Sequence, residues 1–255
     1  MEVAALASGS SGNCFYVGNG KNGILIDAGI SAKQIKERLA FVGKNAKDIQ
    51  AIFITHEHSD HVRGADVFAR EFEIPLYATK KTALNCFLCS NDKLINLIKN
   101  TGNEHISGMD ISAFPKSHKA ADPVSFSICA GKKISIITDA GHCCNNVAGN
   151  VSDSDFLFLE SNHDLKMLEE GPYPHYLKKW IKSDAGHLSN RQAGLCVLEH
   201  ASSQLKHVVL SHLSQTNNTP QLALATFKSL LKERFDLKTE ISVSERETPT
   251  KMFRV

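Results

Sequence analysis

The chain has a single tryptophan, four methionines and 7% aromatic residues in 255 positions. It also has no apolar run near the roughly 20 residues that a membrane helix requires. A spanning segment is therefore not expected. The opening Met-Glu-Val-Ala-Ala-Leu lacks the basic start and apolar stretch of a secretory leader and runs at once into glycine and serine. Together these absences predict a soluble, cytoplasmic protein. The seven cysteines are odd in number and scattered through apparent strands and helices. That is no disulfide framework, and it predicts reduced thiols. Excess charge is missing too: 29 lysines and arginines face 27 acidic residues, and the sequence pI is about 8.1. A strongly basic nucleic-acid binder would show more, so charge leaves that question open.

What remains is the composition of one globular enzyme. With 42% hydrophobic and 22% charged residues, positions 1–255 can bury a substantial core as a single domain. The apolar runs share a design. Ile24 to Ile26, Ile52 to Ile54, Ile134 to Ile137, Phe156 to Leu159 and Val208 to Leu210 have the length and branching of buried strands. Each stops at or just before a lone acid or imidazole: Asp27, His56, Asp139, Glu160 and His212. Polar groups at the ends of neighbouring strands converge on one sheet edge. The run from Ala51 to Ile54 leads into Thr-His-Glu-His-Ser-Asp-His, which puts His56, His58, Asp60 and His61 within six residues. That density of nitrogen and oxygen donors suits Zn, Mn or Fe and has no use in packing alone.

Helices punctuate the strands. Ser31 is placed to cap one carrying Ile35 and Leu39, Thr219 with Pro220 opens another carrying Leu222, Leu224, Phe227, Leu230 and Leu231, and a third starts near Asn190 with Ala193, Val197 and Leu198. Ala83, Leu84, Phe87 and Leu88 flank Cys86 and Cys89 in what reads as an apolar helix. The adjacent Cys143 and Cys144 are not expected to share a metal. Strands mixed with amphipathic helices predict an α/β fold with helices packed on sheets.

The heptapeptide resembles the metal-binding motif of the metallo-β-lactamase fold superfamily. Asp27 in Ile-Leu-Ile-Asp-Ala-Gly, His118 in Pro-Lys-Ser-His-Lys, Asp139 in Ile-Ile-Thr-Asp-Ala-Gly and His212 in Val-Leu-Ser-His-Leu extend the likeness over nearly the whole chain. The resemblance implies a four-layer αββα sandwich with a dinuclear metal site at one edge of its two sheets. It assigns His56, His58 and His118 to a first cation and Asp60, His61 and His212 to a second, with Asp139 bridging them. The cofactors are then two divalent ions, zinc or manganese, which would lower the pKa of a shared water toward about 7 and make it the nucleophile. Asp60 counts among the catalytic residues as well as the ligands. Asp27 is either a turn residue or the group that orients a ligand histidine or its loop.

The same resemblance narrows the chemistry. Diiron oxygen reductases of the superfamily usually carry glutamate where this chain has His58, and cysteine-liganded β-lactamases match neither Asp139 nor His61. In the nuclease branch a carboxylate and a later histidine deliver a proton to the departing oxygen, a role that falls on Glu160 and His187. Ser8-Gly-Ser-Ser-Gly-Asn13, Glu160-Ser-Asn-His-Asp164, Gly171-Pro-Tyr-Pro174, Gly186-His-Leu-Ser-Asn190 and Leu210-Ser-His-Leu-Ser214 with Asn217-Asn218 are similar to the YycJ/WalJ-type subgroup, described as cytoplasmic bacterial DNA exonucleases. The implied partner is a nucleic acid, DNA before RNA, with no membrane. The alternative is a small-molecule hydrolase acting on a thioester, lactone or β-lactam.

Residues that would touch substrate are less sharply marked. Ser10, Ser11 and Asn13 lie in a Gly/Ser loop whose backbone N–H groups suit a phosphate, although such loops are common without one. His163 lines the site or serves as a structural hydrogen-bonding group. Lys116, Lys119, Lys178, Lys179 and Lys182 form either a phosphate track or a solvated surface. Trp180, where the subgroup more often has arginine, packs or stacks on a base.

Overall fold

The computed structural model describes residues 1–232 and 234–255. Its strands are β1 Glu2–Ala7, β2 Cys14–Asn19, β3 Asn22–Ile26, β4 Ile49–Phe53, β5 Leu76–Thr79, β6 Ile95–Ile98, β7 Asn103–Ile106, β8 Met109–Pro115, β9 Val124–Cys129, β10 Lys133–Ile137, β11 Phe156–Glu160, β12 His207–Ser211, β13 Glu240–Val243 and β14 Phe253–Arg254. They make two mixed seven-stranded sheets with helices. The chain divides into two units, the first comprising residues 1–115, 120–131 and 245–255 and the second residues 116–119 and 132–244.

In the first unit one sheet has the order β14-β1-β2-β3-β4-β5-β6. It is antiparallel from β14 to β3 and parallel from β3 to β6. A tight turn at Gly20 and Lys21 joins β2 to β3, whereas the parallel strands need helical crossovers, which is why apolar strands there alternate with helices. The helix Ala32–Phe41 carries the expected Ser31 cap, completed by Gln34 as a capping box, and buries Ile35 and Leu39. Ala65–Phe72 buries Phe68 in the same core, against Leu25, Ile52 and Leu76. A phenylalanine so placed contributes about 1.5–3 kcal/mol. The same unit holds the antiparallel run β7, β8 and β9.

The second unit holds β10, β11, β12 and β13, all parallel. β10, β11 and β12 are mostly apolar and do not alternate, because a parallel strand covered on both faces has no solvent side to alternate with. Asn190–His200 and Pro220–Leu231 form as expected, capped by Ser189 and Thr219, and pack against each other. A Cβ on Gly194 would come within 2.6 Å of Leu230 Cδ1, so the glycine leaves room for that end of the leucine side chain between the two helices.

Three expectations are corrected. The helix before Cys86 is Lys80–Asn85 and stops there, with Cys86 extended. Phe87 is 69% exposed while Leu88 is buried, so this segment has no single apolar face to hold a longer helix, and Cys86 and Cys89 lie beyond it. β4 ends at Phe53, one residue short of Ile54. The thiols are not all reduced: Cys143 and Cys196 form a disulfide, with Cα atoms 5.9 Å apart. Their separation of 53 residues hid the pair, because only packing of the helix Asn190–His200 near the start of Asn145–Asp153 brings them together.

Candidate metal centre

Three of the five polar residues that follow the apolar runs have an uncommon backbone. Asp27, Asp139 and His212 adopt φ of 61°, 53° and 55°, the left-handed region that costs an ordinary residue about 1–2 kcal/mol. A chain leaving a strand this way turns sharply, and the side chain stays at the strand end. Asp27 and Asp139 are each followed by Ala-Gly. The glycine is needed for contact: a Cβ on Gly29 would lie 1.6 Å from the Asp60 carbonyl, and one on Gly141 would lie 1.9 Å from that of Asp184.

In the first unit His56, His58, Asp60 and His61 come together around Asp27 and Thr55. Asp27 is fully buried and accepts the Thr55 N–H at 2.8 Å and the Thr55 hydroxyl at 2.9 Å, and its Oδ2 lies 2.7 Å from His61 Nδ1. Thr55 Oγ1 is 2.9 Å from His56 Nδ1. The Nδ1 atoms of both buried histidines are thus engaged, which turns their Nε2 atoms outward. His56 Nε2 is 2.9 Å from His58 Nδ1, and His61 Nε2 is 3.4 Å from Asp60 Oδ2. Donors around a tetrahedral cation with bonds of about 2.0–2.1 Å stand roughly 3.3 Å apart, so the set fits a metal. Thr55 escaped the sequence reading because threonine ahead of a histidine motif looks like ordinary strand chemistry.

The Gly/Ser loop divides. Ser10 and Ser11 are exposed. Asn13 is buried, bonds to both backbone groups of Gly9, and places Nδ2 3.3 Å from Asp60 Oδ2 and 3.1 Å from His61 Nε2. Its N–H also donates to the Asp60 carbonyl at 2.8 Å. Gly29→Ala is therefore expected to push the Asp60 carbonyl and its loop aside, cutting zinc affinity while the circular dichroism spectrum stays native. Unchanged zinc affinity in that variant would show that the Asp60 loop is not held as described.

In the second unit Glu160 is the hub. Its buried carboxylate accepts five groups: Oε1 takes the Asp139 N–H at 3.1 Å, His187 Nδ1 at 2.9 Å and His212 Nδ1 at 2.7 Å, and Oε2 takes the N–H groups of Ala140 and Leu188 at 2.9 and 3.0 Å. Burial pushes this carboxyl up, and the charges and hydrogen bonds of His187 and His212 more than reverse it, so it stays ionised. Sequence reasoning gave Glu160 only to His187 and missed its hold on His212. One ligand atom from each of Asp139, Glu160, His187 and His212 falls within a common 4.8 Å.

His118 joins this group through Nδ1, 3.1 Å from the Gly186 carbonyl, leaving Nε2 3.8 Å from Asp139 Oδ1. His212 Nε2 stands 3.6 Å from the same oxygen. Both separations are too long for hydrogen bonds and of the order expected between donors that share a cation. Burial pushes the His118 imidazole down to about 4, so it is neutral at pH 7, the form that binds metal.

Some basic residues are spent internally. Lys116 is buried and donates to the Thr138 carbonyl at 2.6 Å, which removes it from any phosphate track or solvated surface. Lys178 and Lys182 both reach Glu169. Lys119 and Lys179 are exposed. Trp180 is partly buried and meets the His187 ring edge-on, with centroids 5.5 Å apart. His163 is buried, and among the described residues neither of its ring nitrogens has a hydrogen-bond partner. Burial pushes it down to about 4, so it too is neutral.

Comparison with known proteins gives these paired clusters their class. Residues 7–126 match the family model described as the Metallo-beta-lactamase superfamily. The chain belongs to that superfamily and is a metal-dependent hydrolase, homologous to two exodeoxyribonucleases. It is 34% identical to exodeoxyribonuclease YycJ of Bacillus anthracis over 238 residues, 92% of this chain and 90% of that one. It is 37% identical to exodeoxyribonuclease WalJ of Streptococcus pneumoniae serotype 2 over 241 residues, 91% and 88% of the two chains. The fold matches that of YhfI, a metallo-beta-lactamase fold protein of Bacillus subtilis, with a TM-score of 0.73 at 12% identity over 98% of both chains. Among the described residues no helix is long and apolar enough to cross a membrane.

Proposed function

We propose that the whole chain acts as one cytoplasmic hydrolase domain that removes nucleotides from DNA. His56, His58 and His118 hold one divalent cation, Asp60, His61 and His212 hold a second, and Asp139 serves both. Zinc and manganese suit this set of imidazoles and carboxylates. When bound, the pair supplies a water of lowered pKa and positive charge opposite the phosphate.

The observation that carries the reading is the Glu160–His187 pair. With Nδ1 committed to an ionised carboxylate, His187 can offer a proton only from Nε2. Its side chain keeps 12% of its surface exposed while Glu160 keeps none. The leaving group of a phosphodiester is an alkoxide that needs such a donor, whereas the thiolate of a thioester departs without one. Homology to exodeoxyribonucleases over about nine-tenths of the chain supports DNA as the substrate. Ser10 and Ser11 face the phosphates, the buried His163 serves as a structural neighbour of Glu160, and Asn13 and Asp27 hold the ligand loops. The disulfide between Cys143 and Cys196 stands against the usual cytoplasmic thiol state, and reduction is expected to leave the chemistry intact because neither sulfur belongs to the ligand set.

The test is cleavage of 5′- and 3′-labelled single- and double-stranded DNA and RNA with added manganese or zinc, beside a nitrocefin assay. Metal-dependent release of nucleotides from DNA ends is expected. Robust nitrocefin or thioester hydrolysis without nucleotide release would transfer the protein to the small-molecule hydrolases.

A further inference from the structure

Three sequence motifs carry asparagines for which the proposed chemistry has no use: Asn162 two residues after Glu160, Asn190 three after His187 and Asn218 six after His212. The structure brings all three together in the second unit, buried. Asn190 and Asn218 form a reciprocal amide pair, Asn190 Nδ2 donating to Asn218 Oδ1 at 2.9 Å and Asn218 Nδ2 to Asn190 Oδ1 at 2.8 Å. The Asn218 amide also reaches the carbonyls of Ser161 and Asn162 at 2.8 and 3.2 Å, and Ser161 Oγ donates to Asn190 Oδ1 at 2.5 Å.

Asn162 links this cluster to the site. Its side-chain amide donates to the His212 carbonyl at 3.0 Å. Its own carbonyl accepts the Ser214 N–H at 2.8 Å, and its N–H donates to the Leu188 carbonyl at 2.9 Å. One residue therefore grips both sides of the His212 turn and the residue after His187, while being joined through Ser161 to Glu160. The carbonyl it holds belongs to a residue in the left-handed region, φ 55°. Such a turn persists only where its surroundings over-determine it. A small rotation there would swing the imidazole away from Glu160 and Asp139.

We propose that Asn162, backed by the Asn190–Asn218 pair, is a positioning residue that fixes the His212 turn and thereby the affinity of the cation His212 serves. This rests on the assignment of His212 as a ligand. Asparagine suits the post because its amide supplies a donor to a carbonyl without adding charge beside a cation. An aspartate in its place would face the His212 oxygen with another acceptor.

The test is titration of cobalt(II) into metal-stripped protein, read by its visible absorption bands, with melting temperatures of the metal-free forms taken alongside. Asn162→Ala and Asn162→Leu are compared with His212→Ala and Thr239→Ala. Leucine keeps the branched four-atom side chain and removes the donor, so it carries the test if alanine leaves a cavity that prevents folding. Thr239→Ala removes a comparable bond, to the Leu205 carbonyl at 2.7 Å, away from the site. Both Asn162 variants are expected to bind one cobalt equivalent 10- to 100-fold more weakly with altered bands, and Thr239→Ala to lose thermal stability alone. Asn162 variants that melt earlier yet bind cobalt as the wild type does would reduce the residue to a structural role and overturn the proposal. Unchanged binding by His212→Ala would instead remove the ligand assignment, and the proposal with it.

Discussion

Asp139→Ala is expected to abolish turnover and to lower the metal content of the protein, with the fold retained. Asp139 Oδ1 is the oxygen approached by both His118 Nε2 and His212 Nε2, at 3.8 and 3.6 Å. Taking it away leaves two buried imidazoles with no anion between them, and by the proposed assignment it removes the ligand common to both cations. The backbone bond from the Asp139 N–H to Glu160 survives the change, so the loop keeps its anchor. The remaining cost is alanine in the left-handed region, about 1 kcal/mol and tolerable in a stable domain. Metal analysis after dialysis, beside circular dichroism and the labelled-DNA assay, decides the matter. A variant that keeps two metals per chain and full activity would contradict the bridging role.

His187→Ala is expected to slow DNA cleavage by roughly 10²- to 10⁴-fold while metal content stays that of the wild type. Removing His187 leaves Glu160 with His212 Nδ1 and three backbone N–H groups, so the carboxylate and the ligand it holds remain in place. The defect should depend on the leaving group. A nitrophenyl phosphodiester departs as a stable phenolate that needs no proton, so the variant should approach wild-type rates on it. An equal loss on both substrates would assign His187 to substrate positioning and end its role as acid. Glu160→Gln is not an equivalent experiment, because that change also disturbs His212.

Much of this architecture is legible in residue order, for identifiable reasons. Runs such as Ile134 to Ile137 and Val208 to Leu210 are too apolar and too short for anything but buried strands, and Ser31, Ser189 and Thr219 mark helix starts through local hydrogen bonding that needs no tertiary partner. The heptapeptide shows a metal because no packing role calls for that many imidazoles. Where neighbours decide, residue order fails. Lys116 looks like a surface cation and is buried on the Thr138 carbonyl. Asn13 looks like a substrate group and turns inward to Gly9, Asp60 and His61. Cys143 looks like a free thiol and meets Cys196.

The sequence by itself thus determined the five buried strands that end near the site, the main helix starts and the metal-binding donor types, because each is written in short-range pattern and in the valence of the side chains, while the pairing of Glu160 with His187 came from the resemblance to the nuclease branch. Tertiary structure alone decided the left-handed turns at Asp27, Asp139 and His212, the second duty of Glu160 on His212, and the asparagine cluster behind both. These depend on where loops distant in the chain meet, and a hydrogen bond between residues 50 or more positions apart leaves no mark in the order of either segment.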